Sequence, residues 1–348
     1  MKSSNRRITM VDYWSITDEN GKPLGHGLKV GNEYYNYIKD KFDVVQYVNR
    51  CVLPYIDNPQ KKAFRHSLKY NYNKLVRVIS NFRCLREAYD SDSGLLWFYA
   101  PELYLFLFLI ITKKRGMRIA LNVFDDYSAN GIKNWIFRKA IEKAEVIFVT
   151  NKYLQKYIDR GIYVPDYAYD ACIYNKYRCQ KKKERAICLG SMNERKKLRE
   201  AVEVFTQNGY PLHIAGQFTD KHMYEELLRI KGENVLVEDR YVNTDEYYGL
   251  LGSSKFCLIP YDSNFYQNRT SGVIQECLFC DAIPVSDQKI LDFVGINGVG
   301  YGDITDLVKF NFSEIELMEY LDAYEKLRND EYDVNIVKSK MVGAFEKG

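Results

Sequence analysis

Residues 268–285, NRTSGVIQECLFCDAIPV, hold the groups of this chain best suited to chemistry. Arg269, Thr270, Ser271 and Gly272 read as the start of a short helix, and Glu276 is the one acid in its body. Unpaired amides at a helix start and the helix dipole form an anion site, and a guanidinium beside them adds a delocalised cation. A phosphate suits such a place; so does an ordinary N-cap, for which Thr270 and Ser271 serve equally well. Glu276, an acceptor-only carboxylate, suits two vicinal hydroxyls such as those of a ribose, against the plainer reading of an exposed helical Glu. A second cationic group, Arg195, Lys196 and Lys197, follows Gly190 and Ser191 in LGSMNERKKLRE. Two such groups at one sheet edge can clamp a diphosphate, although a solvated helix face explains some of these bases and the sequence leaves open which of the three points inward.

Other reactive groups are sparser. Asp125 and Asp126 in VFDDYS stand at the end of a strand-like run. A carboxylate there can accept a proton from an attacking hydroxyl, or simply cap a helix. His26, between Gly25 and Gly27, is an alternative base or a structural donor. Cys277 and Cys280 form a lone CxxC, and the four histidines at 26, 66, 213 and 222 supply no second ligand pair, so no metal site is expected.

The elements that must position these groups alternate regularly. Strand candidates RRITMVDYW, DVVQYVN, GLLWFYA, MRIALNVF and EVIFVT are interleaved with helical patterns, including one from Pro101 that Gly116 would end. Residues 165–184 break the rhythm with Pro165, several tyrosines and a basic run. The alternation then restarts with RAICLG, PLHIAG, NVLVED, KFCLIP and AIPVSD as strands. Strands alternating with helices predict parallel sheets covered on both faces. The expected organisation is an α/β domain at 1–165, a linker at 166–184 and a second α/β domain at 185–348, with the final helices packed either there or back on the first domain. Ligands gather beyond the carboxyl ends of such strands, where Gly190, Gly216, Pro260 and the 268–285 stretch fall.

With 348 residues, 46% apolar and 28% charged, two packed cores are affordable without lipid. A net charge of +4, from 50 bases and 46 acids, is too balanced for generic nucleic-acid binding. Eight scattered cysteines and no N-terminal apolar run before a cleavage site point to a reducing cytoplasm. Residues 59–89 combine many bases with apolar positions near helical spacing, which suits either an anionic membrane surface or a plain basic helix face. LYLFLFLII is nine residues long, against about 20 for a bilayer span, so no transmembrane helix is expected.

The order of AICLGSMNERKKLREAVEVF, LHIAGQF, VLVEDRYVNTDEYYGLLGSSKFCLIPY and RTSGVIQECLFCDAIPVSD, about residues 185–290, resembles the donor domain of GT-B glycosyltransferases. The likeness is strongest to bacterial enzymes that build capsule, exopolysaccharide or lipopolysaccharide. The resemblance implies two Rossmann-like parallel-sheet domains facing a cleft and transfer from a nucleotide-diphosphate sugar, with UDP the expected carrier, to a saccharide or lipid-linked saccharide. It implies no cofactor and no metal, the nucleotide sugar being a substrate. By position it assigns the diphosphate to Gly190, Ser191 and one of Arg195, Lys196 or Lys197, the ribose to Glu276, and phosphate to the amides at Ser271 and Gly272. Tyr261 and Tyr266 would line the sugar pocket. Asn268 stands where the family often has a second Glu, which leaves the sugar's identity open. The Gly25-His26-Gly27 loop would lie against the donor phosphates, and Asp125 or Asp126 would be the base of an inverting enzyme; a retaining one needs none. A nucleotide-sugar epimerase on the same fold and a silent nucleotide-binding subunit of a partner enzyme are the alternatives.

Overall fold

The computed structural model describes residues 7–17, 21, 23, 27–67, 74–91, 94–113, 116–125, 127, 131–262 and 271–347. Runs such as LLWF and VIFV are buried at every position, as expected of parallel strands covered by helices on both sides. Two sheets result. The first contains β1 (Arg7–Asp12), β2 (Asp43–Val48), β3 (Lys61–Ala63), β4 (Leu95–Phe98), β5 (Arg118–Val123), β6 (Val146–Val149) and β7 (Ile162–Tyr163). Its order is β3-β2-β1-β4-β5-β6-β7, with every pair parallel. The second contains β8 (Lys183–Leu189), β9 (Leu212–Gly216), β10 (Val235–Asp239), β11 (Ser254–Ile259), β12 (Ile283–Asp287) and β13 (Val299–Tyr301). It runs β10-β9-β8-β11-β12-β13, again all parallel. In each sheet the winding direction reverses once, between β1 and β4 and between β8 and β11. Such switch points leave a crevice beyond the strand ends.

One compact unit comprises the chain up to Asp166 together with the helix Val334–Lys347, and the other runs from Tyr167 to Asp333. Phe345 of the C-terminal helix lies 5.1 Å from the Trp97 ring and 5.3 Å from Phe148, so this last helix completes the first core. Of the segment 166–184, expected as a linker, all but Asp166 is instead part of the second unit. Ala171–Arg178 is a helix capped by Asp170, and Tyr174 packs 5.0 Å from Phe279 and 5.2 Å from Tyr248. The tyrosines that interrupt the sequence rhythm are a packing face.

Two further expectations change. The apolar helix spans only Leu103–Ile111, because the Lys143 ammonium caps its last turn by donating to the carbonyls of Leu109, Ile110 and Thr112; Gly116, at φ 73, lies beyond. Residues 59–89 are not one basic helix. Lys61–Ala63 is strand β3, and among the described residues of the segment only Lys74–Tyr89 is helical. Several of its cations already have partners: Lys61 donates to the Ile56 carbonyl, Arg86 pairs with Asp90, and the Arg77 guanidinium lies 4.0 Å over the Trp14 ring. No helix among the described residues is long and apolar enough to cross a membrane.

Candidate functional site

The β8/β11 switch point is built by close backbone approach. Gly190, just past β8, has φ 95, on the left-handed side where glycine alone is unstrained. A Cβ at Gly216, the end of β9, would stand 1.8 Å from the Gly190 carbonyl oxygen. The loops after β8 and β9 are then zipped together: Met192 N donates to the Gln217 carbonyl and Thr219 N to that of Met192. Gly216→Ala should therefore lower the thermal midpoint of the second unit, by about 1–3 kcal/mol of stability, because backbone rather than a pliable side chain blocks the methyl. An unchanged midpoint in calorimetry would show that the two loops can part freely.

The loop of bases is fixed to the exit of β11. Lys197 N donates to the Pro260 carbonyl, Asp262 N to that of Arg195, and Lys196 forms a bridge with Tyr261. This staple separates the three cations that the sequence left equivalent. The Lys196 ammonium folds back over the strand end, donating to the Leu189 carbonyl at 2.9 Å and lying 5.8 Å from the Tyr261 ring. Lys197 precedes the helix Leu198–Asn208, and its charge is one of the causes holding the Asp303 carboxyl below its usual range, after the hydrogen bonds from Thr305. Arg195 is exposed and lines a 320 Å³ hollow with Asn193, Glu194, Thr219, Asp220 and Met223. Ser191 is exposed beside them.

The helix after β11 spans Gly272–Phe279 with Ser271 at its N-cap. Ser271 is 4% exposed, makes no side-chain cap bond, and its Oγ has no hydrogen-bond partner among the described residues. Nor does the Nε2 of Gln275, whose Oε1 accepts from Tyr167 N. Gly272 is required by packing as well, since a Cβ there would meet the Tyr167 ring at 2.5 Å. Glu276 is not the exposed helical acid of the plainer reading. It is buried, and its two oxygens accept from the hydroxyls of Tyr247 (2.7 Å) and Tyr248 (2.9 Å). Burial, and then the charge of Glu276, raises both phenols well above their ordinary range, which keeps them donors. Below the helix, Arg328 donates to the Leu278 carbonyl and to Asp281, anchoring the far end. Tyr247 and Tyr248 gave no signal in the sequence beyond lying on a helix; their approach to Glu276, 28 and 29 residues away, is purely tertiary.

In the first unit, Asp125 is half-buried at the end of β5, and Gly27 opens the helix Gly27–Ile38. A Cβ at Gly27 would crowd the Ser15 hydroxyl at 2.8 Å. Asp125 has a neighbour that the sequence did not flag. Asp166 is 1% exposed, and neither of its carboxyl oxygens has a partner among the described residues. Burial first, then the charges of Glu33 and Asp125, pushes it up to about 8. Of the expected site residues, Gly25, His26, Asp126, Tyr266, Asn268, Arg269 and Thr270 lie outside the described residues.

No family model and no curated protein matches the chain, but solved structures do. HepE of Anabaena, solved with UDP and glucose, superposes with a TM-score of 0.67 at 10% identity, covering 98% of this chain and 99% of its own. A glycosyltransferase from Rickettsia africae gives 0.66 at 10% identity, with 98% of each chain covered. The UDP-GlcNAc 2-epimerase of Methanocaldococcus jannaschii gives 0.58 at 10% identity over 98% of this chain and all of its own. The chain has the GT-B fold. At such identities the likeness carries architecture, and the chemistry has to be argued from the residues.

Proposed function

We propose that this GT-B chain is a glycosyltransferase that takes a hexosyl unit from a nucleotide diphosphate, with UDP as the carrier, to a saccharide or lipid-linked saccharide acceptor. What supports the reading is a close-packed glycine pair and a folded-back Lys196 ammonium at the end of β8, with a buried Glu276 on the helix that follows β11. Gly190, whose Cβ position meets nothing, leaves the backbone open to a diphosphate, and Gly216 lets the loop that carries it close against β9. Lys196 and the amides beginning at Gly272 take up the negative charge that grows on the leaving group, without a metal. Glu276 holds the ribose hydroxyls, with the Tyr247 and Tyr248 hydroxyls orienting its carboxylate. In this reading Asp125 takes the proton of the acceptor hydroxyl if the enzyme inverts, with Asp126 and His26 as alternative bases. The acceptor class and a place in bacterial surface polysaccharide assembly rest on the sequence resemblance.

The test is titration of the intact chain with UDP and UDP-sugars by calorimetry, followed by measuring UDP release with added saccharide acceptors. Lys196→Met should weaken UDP binding about 10- to 100-fold, since a hydrogen bond to a charged group contributes about 1.5–3 kcal/mol, while the fold is retained. Equal affinity of the variant would remove Lys196 from the site. The epimerase among the structural neighbours supports a second reading, in which UDP-sugar is converted without any acceptor. Epimer formation by the chain alone would decide for it.

A further inference from the structure

The amino edge of the first sheet carries two guanidiniums. Arg7 opens β1 and Arg118 opens β5, on either side of β4. They border a hollow of 20 Å³ whose other walls are Gly94 and the apolar Ile8, Phe42, Leu95 and Phe345. A single water needs about 10–15 Å³, so the hollow takes one particle of that size. Both arginines are half-buried, and the Nε of each is buried with no hydrogen-bond partner among the described residues. A donor left so costs about 1–3 kcal/mol and is rare. The charge is uncompensated as well. Asp43, level with Arg7 on β2, is exposed and accepts from Gln60; Glu145 accepts from Ile119 N; Asp40 and Glu346 are exposed. None of these acids forms an ion pair with Arg7 or Arg118. Burial lowers the pKa of Arg118, with no acid among the causes, as expected of a cation taken from water without a counter-charge. The end of the helix Val334–Lys347, where the Phe345 carbonyl accepts from Arg118 at 3.1 Å, brings about half an elementary negative charge against two full positive ones.

We infer that this hollow is a binding site for one monatomic anion, a halide such as chloride, which accepts from the Nε–H groups of Arg7 and Arg118. Water is the other particle of that size, and the donor set decides against it. Arginine offers hydrogens only. The carbonyls at the rim, those of Gly94 and Phe345, already accept from the Arg118 amide and guanidinium. A water could therefore accept, but its own hydrogens would meet apolar walls. A halide accepts from every side and neutralises buried charge, and an oxyanion such as phosphate is too large for the volume. The site would fasten the C-terminal helix to the first sheet through Arg118. The inference is independent of what the second unit binds.

Urea unfolding of the full chain, followed by indole fluorescence, tests it, because all three tryptophans lie in this unit. Chloride titrated into gluconate buffer at constant ionic strength should raise the wild-type midpoint above that of Arg7→Met along a saturating curve, as a ligand of the folded state does. General salt effects act on both chains alike. Arg7→Met leaves the bond from Arg118 to Phe345 in place, so it should stay folded and lose the chloride-specific rise. Arg118→Met loses that bond too and should have a lower midpoint in both salts. In crystals of the protein, bromide should give an anomalous peak in contact with both Nε atoms. Wild-type and Arg7→Met midpoints that move in parallel overturn the inference. So does an ordered water where bromide is expected, or a rise with phosphate that exceeds the rise with chloride at equal ionic strength.

Discussion

Glu276→Gln should reduce the affinity for UDP by about 10- to 100-fold and leave the affinity for inorganic pyrophosphate unchanged. A vicinal diol bound to an ionised carboxylate makes charge-assisted hydrogen bonds of about 1.5–3 kcal/mol, and the neutral amide gives up most of that energy while keeping nearly the same shape. Pyrophosphate lacks the ribose and would use Lys196 and the amides at Gly272, so its binding should ignore the change. The split separates recognition from structure. Glu276 is also a buried acceptor for two phenols, and a group that only held Tyr247 and Tyr248 in place would, when neutralised, lower the melting temperature and weaken both ligands together. Tyr247→Phe should show the intermediate case, with UDP weakened by a few-fold because the carboxylate loses one orienting donor. Calorimetric titrations of both ligands against both variants decide the matter. Parallel losses for UDP and pyrophosphate would assign Glu276 to packing alone.

The parts of this molecule that could be read from its sequence are those in which local pattern and tertiary role agree. LLWF and VIFV announce strands buried on both faces because nothing polar interrupts them, and the helices between them follow by periodicity. Gly190 and Gly216 were legible as strand ends, though the reason for the second is the Gly190 carbonyl facing it. Short elements escaped: β3, β7 and the helix Lys152–Tyr157 are too brief to show a period. The tyrosines of 167–177 were misread because aromatic density beside a proline looks like a connector until Tyr248 and Phe279 are seen packing on it. At the candidate site the residue types were legible and their discrimination was not. Lys196 differs from Arg195 and Lys197 only because the loop is stapled to Pro260 and Asp262. Glu276 differs from a surface acid only because a distant helix brings two hydroxyls to it. Asp166 had no signal at all, being a lone acid after a proline.

That buried acid makes the second large expectation. The unfolded chain ionises an Asp near its ordinary value of about 3.9, whereas in the first unit Asp166 is pushed up to about 8 by burial and by the charges of Glu33 and Asp125. The folded form therefore prefers the proton. Its contribution to stability is fully present below the unfolded value and is lost as pH climbs from about 4 to about 8, beyond which the loss levels off. One pKa unit corresponds to 1.36 kcal/mol, so a shift of about four units sets a ceiling of about 5 kcal/mol. Asp166→Asn removes the ionisation while keeping the shape. It should leave the first unit as stable as before near pH 4, make it progressively more stable than wild type above that, and flatten its pH profile to about pH 8. All three tryptophans, Trp14, Trp97 and Trp135, belong to this unit, so indole fluorescence during urea unfolding reports it separately from the second. Wild-type and variant midpoints that run parallel across the whole range would mean that Asp166 is ionised in the folded chain, with water or a counter-charge supplying the partner its oxygens need.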